Sequence, residues 1–380
     1  MMKILHISPA YKPAFIYGGP TLSVAKLCEV LSAKYIVEVI TTTANGKTEL
    51  PVPTQRSLTV DGVNVQYFNR IIKDHVHFSP SLLWNLYKRL HNNKFKTIVH
   101  IHSWWNLIAV MSCIVAKATN TPIVLSPRGM LTQYTQKNRN TVFKSLIHNS
   151  IGKFLISSCH VHATTNQEKQ DILKICNPKS INVISNFITI PKVLYPHPTS
   201  LSLTFKLIFL SRIEEKKGLE LLFRSLAGCS FSWQLTISGT GECNYIEKLK
   251  KLSHSLNISS SIIWTGYVTN EHKYKLLSTH NMLVLFSYNE NFANVVIESL
   301  ISGTPVAISS GVGLADYIKA NDLGWVSEMN QSEITKTLNS AFQNTEKRLR
   351  INKNAPNLIK CHFSELQILS QYLQLYKNIQ

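Results

Sequence analysis

Short apolar runs rich in β-branched residues alternate with helix-length segments along most of the chain, a pattern typical of a parallel sheet covered by helices. In the first half the apolar runs predict strands, and the amphipathic segments between them predict helices. The predicted strands are residues 3–8, 36–41, 63–68, 97–102, 123–126, 161–164 and 181–184, and the predicted helices are 21–33, 81–92, 107–119, 141–157 and 167–175.

This alternation stops near Pro191, where residues 191–202 carry three prolines and several Ser and Thr residues, and this composition indicates a linker. The repetition on both sides predicts an α/β chain of two doubly wound, Rossmann-like parallel-sheet domains, 1–192 and 203–363, which face a central cleft where ligands bind. A last helical segment, 364–380, either closes the second domain or crosses back to the first. In the second half the predicted strands are 207–211, 234–238, 262–265, 282–286 and 306–309, and the predicted helices are 218–226, 245–256, 271–278 and 293–301.

Composition and charge narrow the class of protein. Of the 380 residues 44% are hydrophobic, no apolar stretch has the length of a membrane span, and no secretory signal is visible, so we expect a cytoplasmic protein. The seven cysteines are scattered singly, which fits reduced thiols. Residues 1–195 hold 22 Lys and Arg against seven Asp and Glu and so carry +15 of the total +19. This excess implies a nucleic acid, an anionic lipid or a phosphorylated substrate, unless it is only a basic solvated surface.

The densest candidate motif is Glu-Asn-Phe-Ala-Asn-Val-Val-Ile-Glu over residues 290–298, in the loop and helix that follow predicted strand 282–286. A helix N-terminus presents N–H groups that favour anions, and Glu290 and Glu298 can both address a ligand held there. In isolation the two glutamates could be ordinary helix residues, but Gly303, Pro305 and Val306 complete a strand–loop–helix–strand unit around them.

A second motif, Arg212 to Gly218, follows the first strand of the second half. Its arginine fork and Lys217 could converge on one diphosphate, although such a run can also be a solvated charged loop. Two glycine loops also follow strands: Gly18 and Gly19 precede a helix, and Gly239 and Gly241 follow strand 234–238. Glycines allow a backbone to approach a phosphate closely, or simply to turn. The second loop lacks the third glycine of the dinucleotide fingerprint, which argues against an NAD enzyme.

His100 and His102 alternate at the end of predicted strand 97–102. We expect them to point to opposite faces of the sheet, so that only His102 lines the cleft, either as a catalytic residue or as a hydrogen-bonded structural histidine. No further ligand is nearby in sequence, so we expect no metal. Arg128, in the loop after strand 123–126, is a candidate for binding a phosphate, with stabilisation of its turn as the alternative.

The glutamate motif resembles the family 4 retaining glycosyltransferases, which have the GT-B fold, and the Arg-to-Gly motif and both glycine loops are similar to segments of that family. The resemblance implies that Arg212 and Lys217 neutralise the leaving nucleoside diphosphate and that Glu290 binds donor-sugar hydroxyls. It implies that Glu298 holds the ribose. It also assigns donor contacts to both glycine loops and to the backbone around the helix start, namely Asn291, Phe292, Ala293, Asn294 and Val295. Ala293 departs from the usual glycine.

The resemblance therefore implies a retaining glycosyltransferase of the hexosyltransferase type, which we expect to be metal-independent and cofactor-free. We expect it to use a nucleoside-diphosphate sugar and a lipid-linked or saccharide acceptor in capsule or lipopolysaccharide biosynthesis. A basic amphipathic segment, residues 137–154, could bind the inner face of the cytoplasmic membrane or simply pack on its own sheet. The alternatives are a GT-B sugar-nucleotide epimerase or phosphorylase and, from another class, a nucleic-acid-binding protein, for which no recognised motif is present.

Overall fold

The computed structural model describes residues 2–72, 77–92, 95–132, 135, 151–191, 195 and 204–379. The chain forms two compact units: the first combines Met1–Phe187 with Glu365–Gln380, and the second is the continuous segment Ile188–Ser364. Both units are α/β, so the predicted pair of Rossmann-like domains is confirmed. Within the described ranges, no helix combines the length and the hydropathy that a membrane span requires.

The first unit contains an eight-stranded sheet with the order β10-β9-β8-β7-β1-β2-β6-β5. Every pair in it is parallel except the edge pair β5–β6. Its central strands are almost wholly buried because helices cover both faces, as expected of parallel sheets. The strands are β1 Met2–Ser8, β2 Ile36–Thr42, β5 Ser57–Val60, β6 Val63–Phe68, β7 Lys96–His102, β8 Ile123–Ser126, β9 His160–Ala163 and β10 Ser180–Val183, besides a small hairpin of β3 Ala44–Asn45 and β4 Thr48–Glu49.

The helices of the first unit begin where local chemistry favours a start. The Asn106 side chain accepts a hydrogen bond from the Ala109 N–H at 2.8 Å, and Pro80 occupies the first turn of its helix. Residues 141–150 of predicted helix 141–157 lie outside the described residues, and its described end contains the short helix α4. The helices are α1 Gly19–Ser32, α2 Pro80–His91, α3 Leu107–Ala118, α4 Lys153–Ser157, α5 Asn166–Leu173 and the C-terminal helix α13 Glu365–Lys377.

The second unit contains a six-stranded, fully parallel sheet with the order β13-β12-β11-β14-β15-β16. The strand order reverses direction at β11, the kind of position where ligands bind in open α/β sheets. Its elements are β11 Phe205–Leu210, α6 Leu219–Ala227, β12 Trp233–Ser238, α7 Cys243–Ser255, β13 Ile262–Gly266, α8 Asn270–Ser278, β14 Met282–Leu285, α9 Asn294–Ile301, β15 Val306–Ser309, α10 Ala315–Ala320, β16 Gly324–Ser327, α11 Gln331–Gln343 and α12 Thr345–His362.

Candidate active site

Four loops of the second unit leave the carboxyl ends of neighbouring parallel strands and carry most of the predicted site residues. They follow β11, β12, β14 and β15 and are joined to one another by backbone hydrogen bonds. The Tyr288 N–H donates to the Lys216 carbonyl at 2.9 Å, and the Gly313 N–H donates to the Glu290 carbonyl at 2.7 Å. The loops therefore form one supported surface at the strand ends.

Lys217 and Glu290 form a largely buried ion pair at this surface. The Lys217 ammonium donates to Glu290 Oε1 at 2.7 Å, and only 4% of the lysine side chain is exposed. The Lys216 ammonium lies 3.8 Å from the same carboxylate oxygen. Two residues 73 positions apart in sequence are thus brought into direct contact, and both were predicted as catalytic.

The pKa values of this pair follow from burial and charge together. Burial lowers the pKa of Lys217, and the Glu290 carboxylate offsets part of that effect. Burial alone would raise the pKa of Glu290, but Lys217, Lys216 and Arg212 outweigh it and lower the value. The carboxylate is therefore ionised at neutral pH and carries the charge that keeps a buried ammonium at its side.

Arg212 lies on the same loop but has a different partner. Its Nη1 is 2.6 Å from Glu214 Oε1, and its side chain is 41% exposed. The guanidinium is near enough to help lower the pKa of Glu290. Because an exposed ion pair contributes little to stability, Arg212 can leave Glu214 for a bound anion at small cost.

Glycines bring these loops close together. A Cβ at Gly218, whose φ is +67°, would lie 2.2 Å from the Phe286 carbonyl oxygen. A Cβ at Gly239 would lie 1.9 Å from the Ser211 oxygen, and one at Gly241 would lie 2.2 Å from the Ile213 oxygen. In this structure Gly239 and Gly241 support the loop that carries Arg212, which is a packing role that the sequence pattern did not predict.

Helix α9 begins shortly after Glu290 in sequence, and Ala293 is its N-cap with a φ of +62°. The first N–H groups of a helix have no partner within it, so this end can receive an anion. Phe292 is buried and meets the Phe363 ring edge-on, whereas Asn291, Asn294 and Val295 are partly buried. The residues predicted to contact the donor through their backbone therefore lie at a helix start.

Glu298, one turn further along α9, has a partner that sequence reasoning missed. The Lys273 ammonium, on α8, donates to Glu298 Oε1 at 2.6 Å, and both side chains are mostly buried. A lysine in a predicted helix gives no sign of its spatial partner, so the pair could not be found from spacing. A second missed feature is Gly311, where a Cβ would lie 2.6 Å from the Tyr288 oxygen. Its signal was a Gly-x-Gly directly after strand 306–309.

In the first unit, Gly18 and Gly19 form the start of α1, as expected. Gly18 is the N-cap with a φ of +64°, and Pro20 follows in the first turn. Gly19 is exposed, with no atom within 4 Å of where a Cβ would stand. The helix start is therefore open to a ligand approaching the backbone.

The expectation that His100 and His102 point to opposite faces is wrong. Residues two apart on a strand share a face, and the two ring centroids are 4.3 Å apart. His6 on the neighbouring strand β1 completes a cluster, with its ring 4.9 Å from His100 and 5.2 Å from His102. All three are buried.

Arg128 fixes the proton positions in part of this cluster. Its Nε donates to His102 Nδ1 at 3.3 Å, and its Nη1 donates to Asn186 Oδ1 at 3.1 Å. Because arginine only donates, His102 Nδ1 accepts and its proton is on Nε2, which donates to His6 Nδ1 at 2.9 Å. Arg128 itself adopts a φ of +52°. The guanidinium thus orders two imidazoles, a role that neither sequence-based interpretation of Arg128 included.

A second directed chain runs from the C-terminal helix across the sheet. His162 Nε2 donates to the Ile184 carbonyl at 2.8 Å, so His162 Nδ1 accepts from the Ser126 hydroxyl at 2.7 Å. Ser126 in turn accepts from His100 Nε2 at 2.7 Å, and His100 Nδ1 accepts from the Tyr376 hydroxyl at 2.7 Å. Both imidazoles in this series of hydrogen bonds, those of His100 and His162, are therefore neutral.

Burial, followed by neighbouring charge, keeps the cluster uncharged. It lowers the pKa of His6 and of His162 to about 3, and it lowers those of His100 and His102 well below the ordinary value, with Arg128 adding to each effect. His6, His100 and His102 are close enough to share one metal ion. However, both ring nitrogens of His100 and His102 already form hydrogen bonds, and Arg128 would repel a cation. The absence of a metal stays a prediction.

Solved structures with the same architecture define the class of fold. Over 100% of both chains, this structure matches HepE of Anabaena, solved with UDP and glucose, with a TM-score of 0.75 and 16% identity. It matches the sucrose-phosphate synthase of Thermosynechococcus elongatus with a TM-score of 0.77 and 18% identity, over 100% of this chain and 99% of the other. The fold is therefore the GT-B fold of glycosyltransferases.

Sequence comparisons add the family. Residues 17–190 match Glycosyltransferase Family 4, and residues 202–358 match Glycosyl transferases group 1. The chain belongs to the family 4 glycosyltransferases. An uncharacterized glycosyltransferase of Methanocaldococcus jannaschii is 27% identical over 45% of this chain and 44% of its own length. The lipopolysaccharide core biosynthesis glycosyltransferase LpsE of Rhizobium meliloti is 24% identical over 52% of this chain and 58% of its own length. The chain thus spans about half the length of these relatives.

Proposed function

We propose that this chain transfers a sugar from a nucleoside-diphosphate sugar to a lipid-linked or saccharide acceptor, with retention at the anomeric carbon and without a metal. The observation that carries the proposal is the contact between the buried Lys217 and Glu290 at the start of α9. A buried ammonium, a nearby Arg212 and a helix N-terminus are the groups that stabilise a departing diphosphate. Glu290 supplies an ionised carboxylate that can accept hydrogen bonds from sugar hydroxyls.

In the reaction, the bond between the anomeric carbon and the diphosphate oxygen breaks, and its electron pair stays on the diphosphate. A bond from the acceptor hydroxyl oxygen forms on the same face, and the acceptor proton passes to the departing phosphate oxygen. Lys217 and Arg212 bind the charge that develops on that phosphate. This route requires no covalent nucleophile, and a proton acceptor is supplied by the leaving group itself.

The nature of the donor is inferred mainly from residues of the second unit. Glu298 would accept hydrogen bonds from the ribose hydroxyls, with Lys273 holding its carboxylate in place. HepE is described with UDP and with UDP-glucose, which supports a nucleoside-diphosphate sugar and makes UDP the first nucleotide to test. Gly18 and Gly19, at the open start of α1, are proposed to contact the donor diphosphate.

The acceptor is proposed from the relatives and from the charge of the chain. The name of LpsE supports a role in lipopolysaccharide or other surface polysaccharide assembly. The first unit carries most of the net charge of +19, which suits a phosphorylated, lipid-linked acceptor. We accordingly propose a cytoplasmic protein that associates with the inner face of the cytoplasmic membrane.

Two substitutions test the catalytic assignment. In Lys217→Met the leaving diphosphate loses its buried cation, so we expect kcat to fall by about 100-fold or more while the chain stays folded. In Glu290→Gln we expect a larger loss in use of the donor sugar than in binding of free UDP. Lys250→Met, on an exposed lysine of α7, is the matched control. The measurements are transfer kinetics, UDP titration calorimetry and circular dichroism.

Near-normal turnover in Lys217→Met, or weaker UDP binding without loss of sugar transfer in Glu290→Gln, would refute these roles. The same assay separates the alternatives, because an epimerase converts the donor with no acceptor present and a phosphorylase requires inorganic phosphate. Binding of RNA that persists at moderate salt would instead favour a nucleic-acid-binding protein.

A further inference from the structure

The outward face of α2 carries an unusual set of exposed side chains. Its inward face is apolar, with Leu82, Leu86 and Leu90 buried in the core of the first unit. The outward face presents four exposed residues, which we call the aromatic ladder: Trp84, Tyr87, Lys88 and His91. Trp84 is 58% exposed, although burial of an indole normally contributes to stability.

The side chains of the aromatic ladder are ordered against one another. The rings of Trp84 and Tyr87 stack with centroids 5.6 Å apart, and those of Tyr87 and His91 stack at 5.5 Å. The Lys88 ammonium lies 5.2 Å from the Trp84 ring centroid. Aromatic rings and a lysine are thus organised together on the surface, and a single exposed aromatic residue would not show this arrangement.

A second exposed aromatic residue extends the surface within the same helical layer. Helix α3 packs against both α2 and α4, so the three helices lie side by side. On α4, Phe154 is 59% exposed, and the Lys117 ammonium of α3 lies 4.3 Å from its ring centroid. The layer therefore repeats one arrangement, an exposed aromatic ring beside a lysine, at two places.

The charged residues of the sequence segment that contains these three helices are all positive. Between Asp74 and Glu168 the sequence has ten Lys and Arg residues and no Asp or Glu. All three helices fall inside this interval. A surface formed by this segment attracts anions, because the segment contributes no carboxylate that would repel them.

We propose that the aromatic ladder and Phe154 bind the surface of an anionic lipid bilayer. Tryptophan and tyrosine favour the headgroup region because one end of each ring is polar, and nearby lysines pair with anionic headgroups. The Trp84 ring already stacks on Tyr87 and has the Lys88 ammonium over it, so part of its surface is taken from the base stacking that single-stranded nucleic acids require. The inference rests on the proposed function in one respect: a lipid-linked acceptor would be met at this surface.

The test is flotation of the full chain with vesicles of phosphatidylcholine alone or mixed with phosphatidylglycerol. We expect binding to the mixed vesicles only, weakened by added salt because the attraction is electrostatic in part. Trp84→Ala combined with Tyr87→Ala should reduce the bound fraction about tenfold. Leu349→Ala, which removes an exposed apolar side chain from α12 of the second unit, is the matched control.

A second measurement reports contact directly. Lipids brominated along their acyl chains should quench part of the tryptophan fluorescence of the wild-type chain, and Trp84→Phe should remove most of that quenching. Equal vesicle binding by the wild type and the double variant, no binding to mixed vesicles, or unchanged quenching in Trp84→Phe would each overturn the proposal. RNA binding by the wild type that the double variant loses, with no vesicle binding by the wild type or the double variant, would also overturn it.

The outcome is separable from that of the proposed function. The double variant should bind UDP and turn over a water-soluble acceptor as the wild type does, since the ladder holds no proposed catalytic residue. Vesicle binding without any transfer activity would refute the proposed function alone. Transfer activity with no vesicle binding would refute the docking surface and the proposed membrane association, and it would leave the proposed reaction standing.

Discussion

Ala293 occupies a backbone conformation that glycine adopts more easily. Its φ of +62° and ψ of +71° place it in the left-handed region at the start of α9. A side chain with a Cβ is strained there by roughly 1–2 kcal/mol. The glycine usual at this position in the family is explained by this conformation, without any need for extra space beside the donor.

Ala293→Gly should therefore make the chain more stable. Relief of the left-handed strain exceeds the added flexibility that glycine gives the unfolded chain, for a net gain of about 0.5–1 kcal/mol. Urea unfolding measures the change. Ala341→Gly, at a buried helical position of α11, is the contrasting control and should lose about 1 kcal/mol. A less stable Ala293→Gly would show that the left-handed conformation is not the native one.

At the scale of single residues, sequence reasoning was most informative where chemistry is local. Lys217 and Glu290 were both predicted, and the structure brings them together. It failed for Lys273, because a partner on another helix leaves no mark in the spacing of a motif. The geometry that makes Ala293 unusual is a backbone angle, which the residue letter alone does not give.

At the scale of elements, strands β1, β7, β8 and β9 place one polar network against the C-terminal helix α13. Tyr376 of that helix donates to His100, and the Tyr372 hydroxyl lies 3.2 Å from His162 Nε2. Tyr372 also stacks on Phe187, with ring centroids 5.8 Å apart. The network thus fastens the last helix to the sheet of the first unit.

This network predicts how stability depends on pH. The pKa of His6 and of His162 is about 3 in the folded chain and near 6.5 when unfolded, so the unfolded state binds more protons as pH falls. Their contribution is fully present above pH 6.5 and is lost progressively between pH 6.5 and 3, by roughly 1 kcal/mol per pH unit for each histidine. Arg128, Glu168, Cys28 and the two tyrosines face the cluster as well.

Urea unfolding at pH 7.5 and at pH 5 tests this dependence. His6→Gln should show a smaller loss of stability over that interval than the wild type, even if it is less stable at both pH values. His254→Gln, on an exposed residue of α7, should keep the wild-type dependence. An identical pH dependence in His6→Gln and the wild type would mean that His6 is not held neutral by the fold.

The strands show how much of the secondary structure the hydrophobic pattern of the sequence predicts. Each of the twelve predicted strands matches an observed strand within a few residues. For the central strands the reason is that parallel strands buried on both faces appear as continuous apolar runs. The short edge strand β5, with alternating exposed residues, gave no such run and was missed. The histidine pair was assigned to the wrong faces because the two-residue repeat of a strand was misapplied, although the strand itself was predicted correctly.

At the scale of the whole molecule, the two units differ in which parts of the sequence form them. The second is one continuous segment, whereas the first needs both ends of the sequence. Helix α13 contributes the buried side chains Ile368, Tyr372, Leu375 and Tyr376 to the first unit. Its loss would expose apolar surface there and leave His100 Nδ1 without its donor, and an unsatisfied buried acceptor costs about 1–3 kcal/mol by itself.

A chain ending at Ser364 should therefore lose structure in the first unit and keep it in the second. Hydrogen exchange should rise sharply in β7, β8 and β9 and remain near wild type in β11, β12 and β14. If the second unit also holds the proposed nucleotide site, UDP at 100 times its Kd should still stabilise that unit by about 2.7 kcal/mol. Exchange that rises equally in both sheets would contradict the division into units, whereas protected strands without UDP stabilisation would contradict only the nucleotide site.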